Sequence, residues 1–159
     1  NELESKKTEK EAALRRWLEE KIQLAKKYIE EEDEQKGRKI VQGAVHICEL
    51  GENIGSEKNE LRPVVILSNN RINSSSGNVI VAPLSKRVKT KQVKGKEVPR
   101  YLSHYILKQD KYPFLSYTSA VQTEDIVTVS KIRLKDHLGY IDSEDLKRIK
   151  TRVKWTFDL

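Results

Sequence analysis

The hydrophobic period of this chain changes once, near Arg38, and that change divides what the sequence can fold into. Upstream, Leu14, Leu18, Ile22, Ala25 and Ile29 recur at spacings of 4, 4, 3 and 4, the repeat of one helix face, and Trp17 and Tyr28 widen the same stripe. The pattern predicts a single long helix from about Ser5 to Gln35, with Gly37 as its terminator. Its other face mixes favourable pairs (Glu11 before Arg15) with repelling ones (Glu30 and Glu34), so charge alone does not hold it together. Such a helix needs a surface for its stripe: the same subunit, a dimer partner or a second helix in a coiled coil. A frayed, solvated arm is the alternative.

Beyond Arg38, short β-type runs follow one another at Val41–Leu50, Pro63–Ser68, Asn78–Pro83, Tyr101–Lys108, Leu115–Val121 and Ile126–Val129. Turn-forming clusters separate them at Gly51–Asn59, Asn69–Gly77 and Lys108–Pro113. This spacing predicts a small, strongly bent antiparallel sheet or barrel. Lys131–Leu138 reads as a short helix stopped by Gly139. A last helix begins with Asp142 as N-cap and Asp145 at its third position, with Ile141 and Leu146 spaced as a hydrophobic staple. Its buried stripe is Leu146, Ile149, Val153 and Thr156 or Phe157. The 159 residues are thus expected to form an N-terminal helical extension, residues 1–37, and one folded domain, residues 38–159.

Charge follows the same division. The first 39 residues hold 11 basic and 11 acidic side chains, so the net +7 resides entirely in the remainder, as a polyanion binder requires. The one cysteine, Cys48, lies inside an apolar run; it excludes an internal disulfide and reads as a buried spectator thiol. His46, His104 and His137 are scattered without metal-ligand spacing, so neither a metal nor another cofactor is expected. No apolar stretch approaches the roughly 20 residues that span a bilayer, and nothing at the start resembles a signal peptide. A cytoplasmic protein without membrane association is the expectation.

One stretch concentrates the chemistry. The polar loop from Asn53 ends at Arg62-Pro63, which opens the unbroken apolar run Val64–Leu67. A guanidinium placed where a loop meets a buried strand is held firmly while still facing solvent, and its planar fork of donors suits a phosphate. Taken alone, it also reads as a surface arginine before an edge strand.

Gly43-Ala-Val-His-Ile-Cys-Glu-Leu50, Ile54-Gly-Ser-Glu57, Leu61-Arg-Pro-Val-Val-Ile-Leu-Ser68 and Val79-Ile-Val-Ala-Pro-Leu-Ser85 resemble, in order and spacing, the MazF/PemK family of bacterial toxins, over roughly residues 40–159. The resemblance implies a mainly β, α+β fold: a small SH3-like, CcdB/MazF-like antiparallel barrel with a short helix and a C-terminal helix. It also implies a metal-independent endoribonuclease toxin, usually homodimeric, that cuts single-stranded RNA and is silenced by a cognate antitoxin. The family does not require the N-terminal helix.

Carried over residue by residue, Arg62 matches the family's catalytic arginine. Its task would be to stabilise transition-state charge, with possible duty as the acid, because a guanidinium that stays charged at physiological pH is a poor base. Ser85 falls where the family usually has a catalytic threonine, and its hydroxyl can donate to a phosphate oxygen; otherwise it is a polar residue at a strand end. Ser56 and Glu57 match loop residues that cover the scissile region. Glu57 is a candidate acceptor of the 2′-hydroxyl proton if a closed site raises its pKa, and an idle loop carboxylate if not. Gln122 and Glu124 stand where some members have arginine and aspartate; Gln122 supplies no charge, and Glu124 remains a second candidate base. His46 and His104 match aromatic and histidine positions that can reach RNA, although strand histidines are commonly packing residues. Lys86–Arg100 holds seven basic residues against one acidic. There Lys86, Arg87, Lys89 and Lys91 offer a sequence-independent grip on phosphates, with Tyr101, Tyr105, Tyr112 and Phe114 nearby for base stacking. A solvated hairpin loop is the plainer reading.

Two other functions fit less of the sequence. A CcdB-type toxin that poisons DNA gyrase shares the fold but acts through a Trp-Gly-Ile end, whereas this chain closes with Lys154-Trp-Thr-Phe-Asp-Leu159 and keeps Arg62 and Ser85. In a catalytically weak RNA-binding or regulatory module, Ser85 and Gln122 would have blunted the site.

Overall fold

A computed structural model describes residues 1–159. The first segment forms helix α1, Glu2–Glu30, and a short helix α2, Glu32–Lys36, separated by a break at Glu31. The side chain of Asn1 caps α1 by accepting from the Glu4 amide at 2.9 Å. The stripe expected to dock is largely free: Leu14, Leu18 and Ile29 are 38%, 53% and 76% exposed. The helix rests instead on the edge bearing Ala13, Trp17, Leu24 and Tyr28. Two glycines explain the rotation. The Trp17 ring lies on Gly51 and the Tyr28 hydroxyl on Gly77, where any Cβ would collide with them. The longest side chains thereby find the closest approach to the sheet.

Polar contacts fix the far end of this segment. The Arg38 guanidinium donates to Gln35 Oε1 at 3.1 Å, to the Lys131 carbonyl at 2.7 Å and to the Leu134 carbonyl at 3.2 Å. Lys131 is wholly buried, and its Nζ donates to the carbonyls of Lys36 at 2.7 Å and Arg38 at 3.1 Å. Burial, reinforced by the neighbouring Arg38 charge, lowers the Lys131 pKa. Carbonyls at a helix C-terminus favour its cation without a carboxylate.

The strands are β1 Ala44–Glu49, β2 Leu61–Ile66, β3 Asn78–Ser85, β4 Thr90–Val93, β5 Lys96–Pro99, β6 His104–Leu107, β7 Ser119–Gln122, β8 Val127–Ser130 and β9 Leu134–Tyr140. Helix α3, Asn70–Ser75, occupies part of an expected turn, and α4 is Ser143–Phe157. The main antiparallel sheet runs β6-β7-β3-β2-β1-β9, and β8 also pairs with β3. The first half of β3, Asn78–Val81, holds β8, whereas Leu84 and Ser85 hold β7. The sheet does not close into a barrel: no ladder joins β6 to β9, because the four-residue β6 and β7 follow the far end of β3. The basic stretch Lys86–Arg100 folds into a separate hairpin, β4–β5, turning at Lys94 and Gly95 with φ of 51° and 77°.

Lys131–Leu138 is not a helix. Lys131–Arg133 make one 3₁₀ turn, and the chain then runs as β9 beside β1. The backbone groups on the outer edge of β1 need partners, and that tertiary demand overrides local spacing. Gly139 sits inside the strand under the Phe114 ring rather than at a helix end.

Strand alternation divides the core. Val64 and Ile66 enter one cluster with Cys48, Val79, Val81 and Leu134; Val65 enters the other with Val45, Leu84, Leu107, Val121 and Ile149. Burial pushes the Cys48 thiol up to about 12. Helix α4 is capped by Asp142, which accepts from the Asp145 amide at 2.8 Å. Thr156, not Phe157, turns inward and meets the Thr123 hydroxyl at 2.6 Å. Asp145 receives Tyr105 and Tyr112 hydroxyls at 2.5 Å each and Lys111 Nζ at 2.7 Å, tying α4 to β6 and the following turn. No helix is long and apolar enough to cross a membrane.

Candidate active site

Val64 and Pro83 are partners across β2 and β3, and the same register continued by two residues sets Arg62 opposite Ser85. Both line one cleft of about 590 Å³, with Lys58, Lys86 and Arg87 at its rim and Ile47, Leu84, Leu115 and Tyr117 among its apolar walls. Arg62 Nε donates to the Asn59 carbonyl at 2.9 Å. That bond orients the guanidinium and directs its two terminal amino groups elsewhere. Ser85 Oγ accepts from the Arg87 amide at 3.2 Å, so its own proton remains available to donate. A cationic fork, a hydroxyl and three further cations around one cleft form an arrangement suited to a phosphodiester.

The carboxylates gather next door. A second pocket of about 340 Å³ is lined by Glu57, Lys58, Glu124, Asp125, Asn53 and Arg133, among others, and Lys58 borders both spaces. Glu57 accepts from the Ile54 amide at 2.8 Å and so braces its own loop. Ser56 is exposed near the loop tip and lines neither pocket. Glu124 lies 2.6 Å from His104 Nε2. Burial alone would raise the Glu124 pKa, but hydrogen bonds from Ser103, its own backbone and His104 hold it below the usual value. Asp125 goes the other way. Burial raises it; Lys58, whose Nζ is 3.8 Å away, is the main opposing influence, and Arg62 and His104 also act against the rise.

Asp125 and Lys58 do not stand out in the sequence. The adjacency of Asp125 to Glu124 is the one signal there, but only the 3₁₀ turn Thr123–Asp125 separates their surroundings. Gln122 and His104 are cross-strand partners and both are buried; Gln122 Oε1 and His104 Nδ1 have no hydrogen-bond partner. His46 is not brought to either pocket. It is buried towards β9, with Nδ1 3.3 Å from the Lys135 carbonyl and its ring 5.1 Å from His137. Burial lowers its pKa, keeping it neutral at pH 7.

Lys86 and Arg87 reach the cleft, whereas Lys89, just before β4, and Lys91, on it, do not line it. Tyr105 and Tyr112 are engaged with Asp145, and Phe114 covers Gly139. The aromatics left exposed beside the basic hairpin are Tyr101 and Tyr117, with Lys89 5.8 Å from the first ring centroid and Lys86 5.4 Å from the second.

Residues 41–157 match the family model described as PemK-like, MazF-like toxin of type II toxin-antitoxin system. Endoribonuclease MazF of Staphylococcus saprophyticus is 31% identical over 111 residues, which cover 70% of this chain and 85% of that protein. MazF from Deinococcus radiodurans superposes with a TM-score of 0.59 at 15% identity, over 77% of this chain and 99% of that one. An endoribonuclease in complex with its cognate antitoxin, from a mycobacterial species, gives 0.55 at 21% identity, over 77% and 96%. At these identities the structural likeness shows the fold, and α1 and α2 precede the matched residues.

Proposed function

This chain belongs to the PemK-like, MazF-like toxins of type II toxin–antitoxin systems, and from that membership we propose that it is a sequence-selective, metal-independent endoribonuclease acting on single-stranded RNA. The observation that carries the reading is the placement of Arg62 and Ser85 in one cleft edged by Lys58, Lys86 and Arg87. The scissile phosphate lies between the Arg62 fork and the Ser85 hydroxyl. The neighbouring ribose 2′-hydroxyl gives its proton to a carboxylate and attacks phosphorus. The bond to the 5′-oxygen breaks, and that oxygen takes a proton from Arg62, because a departing alkoxide is a strong base. Arg62 and Ser85 bind the extra negative charge of the phosphorane in a fixed geometry. Asp125 is the proton acceptor in this scheme, because burial raises its pKa and it faces Lys58 at the edge of the cleft, whereas Glu124 is held low and engaged with His104. Glu124 orients His104. The products are a 2′,3′-cyclic phosphate and a 5′-hydroxyl.

Residues 38–159 carry this activity, and residues 1–37 are an extension. A cognate antitoxin is the proposed protein partner, a homodimer the proposed assembly and the cytoplasm the proposed location. The purified protein, incubated with a long RNA, is expected to cut equally with and without EDTA, and to spare a substrate carrying 2′-deoxyribose at the mapped site. Cleavage lost in EDTA, or retained on the deoxy substrate, removes this chemistry; RNA binding without cleavage selects a regulatory module.

The β4–β5 hairpin grips phosphates in this scheme. Replacing Lys86, Arg87, Lys89 and Lys91 together by alanine is expected to flatten the plot of log affinity against log salt by about 0.7 for each phosphate no longer neutralised, roughly 2–3 in all. Filter binding over a salt series reads the slope, and an unchanged slope takes the hairpin off the RNA path.

A further inference from the structure

We infer that helix α1 is a strut that sets the position of the loop between β1 and β2, so that Trp17 and Lys10 are positioning residues for the site reached by that loop. The inference rests on the nuclease reading for its catalytic consequence, but not for its structural one.

The loop is built as a closed ring with a narrow neck. The Leu50 amide donates to the Glu60 carbonyl at 3.0 Å, and the Glu60 amide donates back to the Gly51 carbonyl at 2.7 Å. Both neck residues have left-handed backbone, φ of 82° at Gly51 and 66° at Glu60. Inside the ring, the Asn53 amide meets Asn59 Oδ1 at 2.6 Å, and Asn53 Nδ2 donates to the Lys58 carbonyl at 2.7 Å. These bonds brace the ring internally and tie it to the sheet at its neck.

Helix α1 grips that neck. Trp17 lies directly on Gly51, and the Arg133 guanidinium sits 5.4 Å from the Trp17 ring centroid while donating to the Glu49 carbonyl at 3.2 Å. Lys10 pairs with Glu52, the next loop residue, at 2.6 Å, and the Glu52 side chain is only 16% exposed. The helix itself is held at its other end by Lys131 and Arg38 through the short α2, so the grip has a fixed origin.

The far side of the ring touches the chemistry. The Asn59 carbonyl accepts from Arg62 Nε, and Lys58 faces Asp125. A shift at Gly51 therefore turns the Arg62 fork and moves the cation that faces the proton acceptor. Misplacement of this kind, by about 1 Å, costs up to roughly 100-fold in rate.

The test uses the full-length chain carrying Trp17→Ala, Trp17→Phe, Lys10→Glu, or Lys10→Glu combined with Glu52→Lys. In Trp17→Ala, amide exchange of residues 52–59 is expected to rise about tenfold while the β2 and β3 amides keep their protection, and kcat on RNA to fall about tenfold with KM changed less than about threefold. Trp17→Phe recovers most of both, and Glu52→Lys repairs Lys10→Glu. Loop exchange unchanged in Trp17→Ala, or a charge swap without repair, overturns the strut. Should Trp17→Ala fail to fold, the Lys10 and Glu52 pair decides alone. If the parent protein cuts no RNA, the exchange measurement still decides, and only the nuclease reading is lost.

Discussion

Arg62→Ala is expected to cleave RNA about 1,000-fold more slowly than the parent protein while keeping its thermal midpoint within a few degrees. The rate should fall because no other guanidinium meets the cleft opposite Ser85; Arg87 is on the rim and bound through its backbone to Ser85. Stability should hold because Arg62 is only partly buried and makes one hydrogen bond, to Asn59. Arg62→Lys is not expected to rescue the rate, since an ammonium lacks the planar fork. Single-turnover cleavage of a defined RNA, followed beside a melting curve, separates the two effects. The pH profile of the parent adds a check on the base. Burial lifts Asp125, so the acid limb should lie above the ordinary aspartate value of about 3.9, and Asp125→Asn should abolish that limb along with most of the rate. An Arg62→Ala protein that cuts at the parent rate sinks the mechanism whatever the fold.

The largest loss of stability is expected from Asp145→Ala, about 2–4 kcal/mol, or roughly 10 °C in the thermal midpoint. One buried carboxylate accepts from Tyr105, Tyr112 and Lys111, and its removal takes the acceptor from both hydroxyls, leaves Lys111 with Asp142 alone and frees the first turn of α4 from β6. The same carboxylate gives the fold an acid limit. Burial would raise its pKa, but the bonds from Lys111, Tyr105 and Tyr112 outweigh burial and hold it low. Asp142 is lowered too, first by its bond from Lys111. The unfolded chain then binds protons that the folded one refuses, so stability is complete above about pH 4 and declines as pH falls through the depressed values. Denaturant midpoints between pH 6 and pH 2.5 should show this decline, and a shallower one in Asp145→Ala, where Asp142 and Glu124 keep their lowered values.

Several elements are legible in the sequence because their cause is local. Val64–Leu67 and Val79–Leu84 alternate between two cores and read as strands; Asp142 caps α4 because the acceptor and the amide it serves are three residues apart. Arg62 stands just before one readable apolar run and Ser85 just after another, and the sheet register then sets them opposite one another. What escapes the sequence depends on distant partners. The docking edge of α1 is chosen by Gly51 and Gly77, which lie far along the chain, so the most apolar stripe is the wrong guide. Residues Leu134–Leu138 form a strand because β1 has an open edge, which no window around Gly139 reveals. The opposite shifts of Glu124 and Asp125 come from burial, which wins at Asp125, and from the hydrogen bonds of Ser103, the backbone and His104, which win at Glu124; adjacent acidic letters look alike until those surroundings are known.

The lone thiol gives this protein its own gauge of opening. Cys48 sits near the end of β1 with strands on both sides, fully enclosed, and is almost entirely protonated at neutral pH. An alkylating reagent can reach it only when the sheet parts, so the labelling rate in native buffer counts the excursions that break the central strands. Because no second cysteine competes for the reagent, each modified molecule records one such event.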